Sequence, residues 1–264
     1  MNIIYLAVIF AATLIGALVG IGGGAIIKSS LDFLNFGNVA VAGFLSSCAV
    51  LSMSISSSIK HLKQKTKCSK KTVLLISLGS VAGGTIGSTV FDKVFALLSS
   101  SLVKGIQASI LGAFLIFVVI YVNAKNARSF KLSRPAPIIL VGVLLGFFSS
   151  FLGIGGGPIN TAFLVLFFSF TIQESAVYSV AVIFFSQLSH IIAVYISNGF
   201  QPFKSYGVII CAACALAVIG GILGAELNKK LDNKIITKIF TITLCIVITI
   251  NIYNALSGFG LISH

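Results

Sequence analysis

The residues best placed for chemistry in this chain fall in two glycine clusters, GIGGG at 20–24 and GIGGG at 153–157. Glycine-rich turns can lay backbone N–H groups against phosphate, but only in the right setting. A dinucleotide site needs the glycines between a strand and a helix, and a Walker loop needs Lys then Ser/Thr directly after them. Neither GIGGGAIIKSS nor GIGGGPINTAF supplies that setting. What the glycines do allow is positive φ and close approach, with a helix starting just behind them whose free N–H groups point at an anion. Pro158 suits such a helix start, because its missing N–H costs little there. Gly22, Gly23, Gly24, Gly155, Gly156 and Gly157 are therefore candidate substrate-binding positions.

Polar residues near the clusters extend the set. Lys28 follows the first cluster by four residues and can attract an anion, snorkel to the surface, or pair with Asp32 at i,i+4. Asn160 and Thr161 follow the second cluster and can contact substrate or cap the helix. His190 lies in FFSQLSHIIAVYI, three residues after Gln187 and near it on one helical face. Ionisable groups in membrane spans face protein or water, so His190 and Gln187 either line a pathway or close an interhelical hydrogen bond. Ser52 belongs to a run that includes Ser46, Ser47, Ser54, Ser56, Ser57 and Ser58, small donors that either contact an anion or return hydrogen bonds to backbone carbonyls. His190 and Glu174 are candidates for proton coupling; for Glu174 the ordinary alternative is an acid at a helix N-terminus.

Other chemistry is not supported. No His, Cys, Asp or Glu grouping has metal-ligand spacing, and no Ser/His/Asp arrangement can be assembled, so no enzyme activity and no cofactor is expected. Cys211 and Cys214 are spaced C-x-x-C, but inside the apolar VIICAACALAVIG; the five cysteines read as reduced packing residues. The net charge of +13 does not indicate a nucleic-acid partner, because no aromatic residues interleave with the basic ones as a stacking surface requires.

The elements that must position these residues lie in lipid. The chain is 57% hydrophobic and 9% charged, against roughly 25% charged in a soluble domain. Apolar stretches run over 2–27, 38–59, 72–91, 101–123, 137–169, 175–197, 206–225 and 236–257, most near the ~20 residues that cross a bilayer as a helix. The first lacks a basic n-region and shares in the repeated pattern, so it reads as mature structure and not as a signal peptide. The stretch 137–169 is too long for one span and is interrupted at 155–158, which predicts two helical pieces.

The pattern is duplicated. GIGGG recurs after 133 residues (20 to 153), and VAGGTIGSTVFDKV at 81–94 matches VIGGILGAELNKKL at 218–231. The glycines of these later segments read as close helix contacts. Equivalent loops carry opposite charge bias: six lysines in 60–71 against Lys204 alone in 197–205, then Lys93 beside Asp92 in 92–100 against four lysines in 226–238. By the positive-inside rule this predicts an inverted repeat. The expected fold is an all-α polytopic membrane protein of two homologous halves, 1–125 and 135–264, joined by a basic cytoplasmic linker at 126–134, with broken helices or helical hairpins at GIGGG.

Taken together, the clusters with their following helix starts AIIKSSLDFL and PINTAFLVLF, the segments AVAGFLSSCAVLSMSISSSIKHL and SAVYSVAVIFFSQLSHIIAVYI, and the GGTIG and GGILG patterns resemble the sulfite exporter TauE/SafE family. The likeness covers essentially the whole chain. Relatives often place a proline soon after the first cluster, where this chain has Ala25 to Lys28. The resemblance implies a permease for small sulfur-containing or organic anions in the cell membrane. The expectation is a secondary transporter, an exporter, that moves sulfite, thiosulfate or an organosulfonate by alternating access, with proton or ion coupling. Its partners are a small anionic substrate and the lipid bilayer. The rival readings are an anion channel, a membrane enzyme and a non-transporting scaffold.

Overall fold

The computed structural model describes residues 2–63, 69–124, 130–154, 156–199 and 201–262. Among these residues ten α-helices follow one another: α1 (Asn2–Val19), α2 (Gly24–Phe33), α3 (Val39–Lys63), α4 (Lys70–Leu97), α5 (Ser100–Asn123), α6 (Pro135–Phe151), α7 (Gly157–Phe168), α8 (Ile172–Asn198), α9 (Gly207–Lys230) and α10 (Asn233–Gly258), with a 3-10 turn at Gln201–Tyr206 before α9. Six are long and apolar enough to cross a membrane: those spanning 39–63, 71–97, 100–123, 172–196, 203–230 and 233–258. The protein is a multi-pass membrane protein.

The helix boundaries follow from local chemistry. Ser69, Ser99 and Thr171 cap α4, α5 and α8 by accepting from backbone N–H groups three residues on. Pro135 and Pro158 stand in the first turns of α6 and α7. The apolar stretch 2–27 ends as a helix at Val19, and the stretch 137–169 divides into α6 and α7, with the break at the glycines. α4 continues to Leu97, so Asp92, which the charge pattern assigns to a loop, lies inside a helix.

Packing couples helices that are far apart in sequence. α1 lies along α9 and α4 along α6; α3 packs on α9 and α8 on α4; α5 packs on α10. Small residues permit the closest approaches. Gly83 faces the Val143 backbone, and Gly224 faces that of Leu14. The bundle has two recognisable ends. Hydrogen bonds from Ser69 to Tyr178, from Gln173 to Asn228, and from Phe130 to Leu166 gather one end, where α3 finishes. At the other, Lys104 donates to Asn35 and Ser101 to the Gly258 carbonyl.

Candidate functional site

The two glycine clusters meet in the protein interior. Past Val19 the chain turns through Gly20, Gly22 and Gly23, all at positive φ, a conformation that other residues adopt only with strain. Gly23 then returns against α1, where a Cβ would stand 2.6 Å from the Ala12 carbonyl oxygen. Gly22 donates its N–H to the Gly16 carbonyl, and the Gly24 carbonyl accepts from Ser46 of α3 at 3.2 Å. At the second break Gly153 and Gly156 have positive φ. Gly157 packs on the Ile21 carbonyl and Gly156 against the Asn160 amide. Gly155 lies outside the described residues. Thr161 and Ser179 both donate to the Gly20 carbonyl, at 2.9 and 2.7 Å.

Beside the second break lies a small enclosed cavity of about 40 Å³, bordered by Lys28, Gly43, Asp92, Gln107, Ser150, Gly153 and His190, with Phe44, Phe91 and Phe203 among its apolar walls. Each polar group arrives from a different element: Lys28 from α2, Asp92 from α4, Gln107 from α5, Ser150 from α6 and His190 from α8. Lys28, Gln107, Ser150 and His190 are 3, 4, 1 and 5% exposed.

Lys28 forms an ion pair with Asp32 one turn on. Its Cε would be 3.8 Å from a Cβ at Gly43 and 3.6 Å from one at Gly153, ordinary contact distances that place its stem between the two glycines. His190 shares a 2.7 Å hydrogen bond between Nδ1 and the Ser88 hydroxyl. Gln107 donates Nε2–H to the Phe151 carbonyl at 2.6 Å. Among the described residues, the Ser150 hydroxyl and the Gln107 carbonyl oxygen have no hydrogen-bond partner. An unpaired buried donor and acceptor are costly unless something polar occupies the space between them.

A second depression, about 230 Å³, opens at the end of the bundle where α2 finishes. Asp32, Asn35, Asn38, Ser100, Ser101 and Lys104 line it, and Val39 borders both spaces. The Lys28–Asp32 pair therefore connects the outer depression to the cavity. A larger groove of about 500 Å³ among α3, α4 and α8 is lined chiefly by apolar residues, with Ile55, Leu62 and Leu74 exposed as suits lipid and with Ser58 and the buried His61 among its walls.

The remaining candidates from the sequence lie elsewhere. Gln187 donates to the Ser149 hydroxyl at 2.9 Å and does not border the cavity. Ser52 returns its hydrogen bond to the Cys48 carbonyl at 2.9 Å. Asn160 is buried, and among the described residues neither of its amide atoms has a hydrogen-bond partner. Glu174, exposed, closes a capping box with Thr171, accepting from its backbone N–H at 2.8 Å. In the sequence no motif marks the cavity-lining Asp92, Gln107 and Ser150 as site residues. A Gln inside an apolar span is itself a signal, because polar groups there face protein or water. Among the described residues, no group of three His, Cys, Asp or Glu could hold a metal ion.

Six apolar spans, together with an internal cavity bordered by polar side chains, fit a protein that handles solutes within the bilayer. The family model described as sulfite exporter TauE/SafE matches residues 5–251. A probable membrane transporter protein of Methanocaldococcus jannaschii is 30% identical over 203 residues, 72% of this chain and 70% of that protein. The probable membrane transporter protein YunE of Bacillus subtilis is 27% identical over 196 residues, 66% of this chain and 71% of its own length. No solved structure matches. The chain belongs to the sulfite exporter TauE/SafE family, and it is a membrane transporter, not an enzyme.

Proposed function

We propose that the protein is a secondary transporter that exports a small sulfur-containing anion, such as sulfite, thiosulfate or an organosulfonate, by alternating access. The single observation that carries the reading is the cavity: a buried lysine, a histidine and a serine hydroxyl with no partner among the described residues converge from three different helices beside a glycine break. Lys28 supplies charge that Asp32 already balances, so an anion competes for a cation that is never bare, which favours release as well as capture. The Ser150 hydroxyl supplies a neutral donor.

The exchange of partners between the halves supports an inverted repeat, 1–125 against 135–264, with GIGGG turns entering from opposite faces. α1 on α9 answers α4 on α6, and α3 on α9 answers α8 on α4. Gly153 approaches Gly43 as Gly20 approaches Ala176, and both members of the second contact are related to the first by the same 133 residues. Rocking one half against the other would then open the cavity first to one face and then to the other. In this arrangement 60–71, the linker at 126–134 and 226–238 face the cytoplasm. The small enclosed cavity favours a carrier over a continuous pore.

Liposomes containing the purified protein test this. Labelled sulfite, thiosulfate or a small sulfonate should cross saturably and show counterflow, with the proton gradient varied independently. No flux above empty liposomes for any of these anions would overturn the reading; unsaturable conductance would replace the carrier by a channel.

A further inference from the structure

The cavity holds an acid where an anion site would be expected to exclude one. Asp92 of α4 borders the same small space as Lys28. Among the described residues the carboxylate has neither a salt bridge nor a hydrogen bond, since the ion pairs are Lys28–Asp32, Lys60–Glu226 and Lys230–Glu226. Ser88, one turn earlier on the same face of α4, holds His190 through Nδ1. Asp92 is itself half-buried; when ionised it borders the same space of about 40 Å³ as any anion bound beside Lys28, and like charges at such range repel.

We propose that Asp92 is the proton-coupling residue: anion binding beside Lys28 requires Asp92 to be protonated, so that one proton crosses with each anion. This rests on the cavity being the anion site. The carboxylate takes a proton from the side to which the cavity is open, the anion binds, and both leave on the other side. A monovalent anion then moves without net charge. Net flux then follows the combined gradients of anion and proton, and each exported anion removes one acid equivalent.

The groups that share the cavity with Asp92 are few. His190 comes from α8 and Lys28 from α2, while Gln107 of α5, Ser150 of α6, Val39 and Gly43 of α3, and Phe203 add no titratable group. On its own helix the next residue, Lys93, is exposed. Asp32 is already engaged by Lys28.

The test uses methanesulfonate, which stays a monoanion across the range, titrated calorimetrically into the full-length protein from pH 5 to pH 8. Wild-type affinity should fall by about tenfold or more as the pH rises, the scale of a like-charge repulsion over several ångströms. Asp92→Asn should bind at pH 8 as tightly as the wild type does at pH 5, with no pH slope. A gain in binding is not produced by misfolding. Asp92→Ser should flatten the profile in the same way, and His190→Gln should weaken binding while it keeps the slope. In liposomes with a pH-sensitive dye in the lumen, the wild type should carry one proton per anion and Asp92→Asn none. A pH-independent wild type, proton-free anion flux, or a slope that survives in Asp92→Asn but is lost in His190→Gln would each overturn the proposal. Wild-type liposomes that move no anion would instead remove the transport reading beneath it.

Discussion

Thr161 donates its hydroxyl to the carbonyl of Gly20 at 2.9 Å, and this ties the helix that follows the second glycine cluster to the turn of the first. Ser179 of α8 donates to the same oxygen at 2.7 Å. One backbone carbonyl, freed because no helix continues past Val19, thus joins three elements. Thr161→Val should destabilise the protein by about 0.5–1.5 kcal/mol, the net worth of one hydrogen bond. Combined with Ser179→Ala the loss should exceed the sum, because the carbonyl is then buried with neither partner. Thermal unfolding in detergent measures both; strictly additive losses would show that the two bonds are independent.

Glycines at helix starts differ in what surrounds them. Gly157 has no room for a Cβ against the Ile21 carbonyl, whereas Gly207 has open space within 4 Å. Gly157→Ala should lower stability by about 1–3 kcal/mol, the usual scale of overpacking, and Gly207→Ala should be close to neutral. Gly23→Leu and Gly156→Leu should abolish transport while the protein still inserts in the membrane, which flux assays on membrane-extracted protein would check.

The Lys28–Asp32 pair separates stability from transport. Lys28→Met leaves a buried carboxylate without its partner, a loss of roughly 3–5 kcal/mol for a fully buried pair. The Lys28→Met/Asp32→Asn double variant should recover much of that stability and still fail to bind an anion. Melting temperature and anion titration on the two variants distinguish these effects; binding by the double variant would remove Lys28 from the site.

Glu174 closes a capping box in an exposed position. Glu174→Ala should therefore weaken α8 by about 0.5–1 kcal/mol, within the range for a lost cap, and leave proton-to-anion stoichiometry unchanged. A changed stoichiometry would make Glu174 part of the coupling path.

Much of this protein is local and can be read along the chain. Apolar runs of membrane length, the glycine breaks with Pro158 behind the second, and the i,i+4 pairing open to Lys28 and Asp32 depend only on neighbours in sequence, and the helices and the ion pair form accordingly. The family resemblance rests on the same motifs, and the family match spans 5–251. The cavity is of another kind. Asp92 reads as a loop residue beside Lys93, and Gln107 and Ser150 as isolated polar residues in apolar runs, because hydropathy carries no record of which helix lies beside which. Packing of small residues, Gly83 on Val143 and Gly153 on Gly43, sets those neighbours. Sequence by itself determined the spans, the breaks and the charges; the tertiary structure alone decided which side chains share one space, since that depends on lateral contacts among helices far apart in the chain, Lys28 and His190 being 162 residues apart.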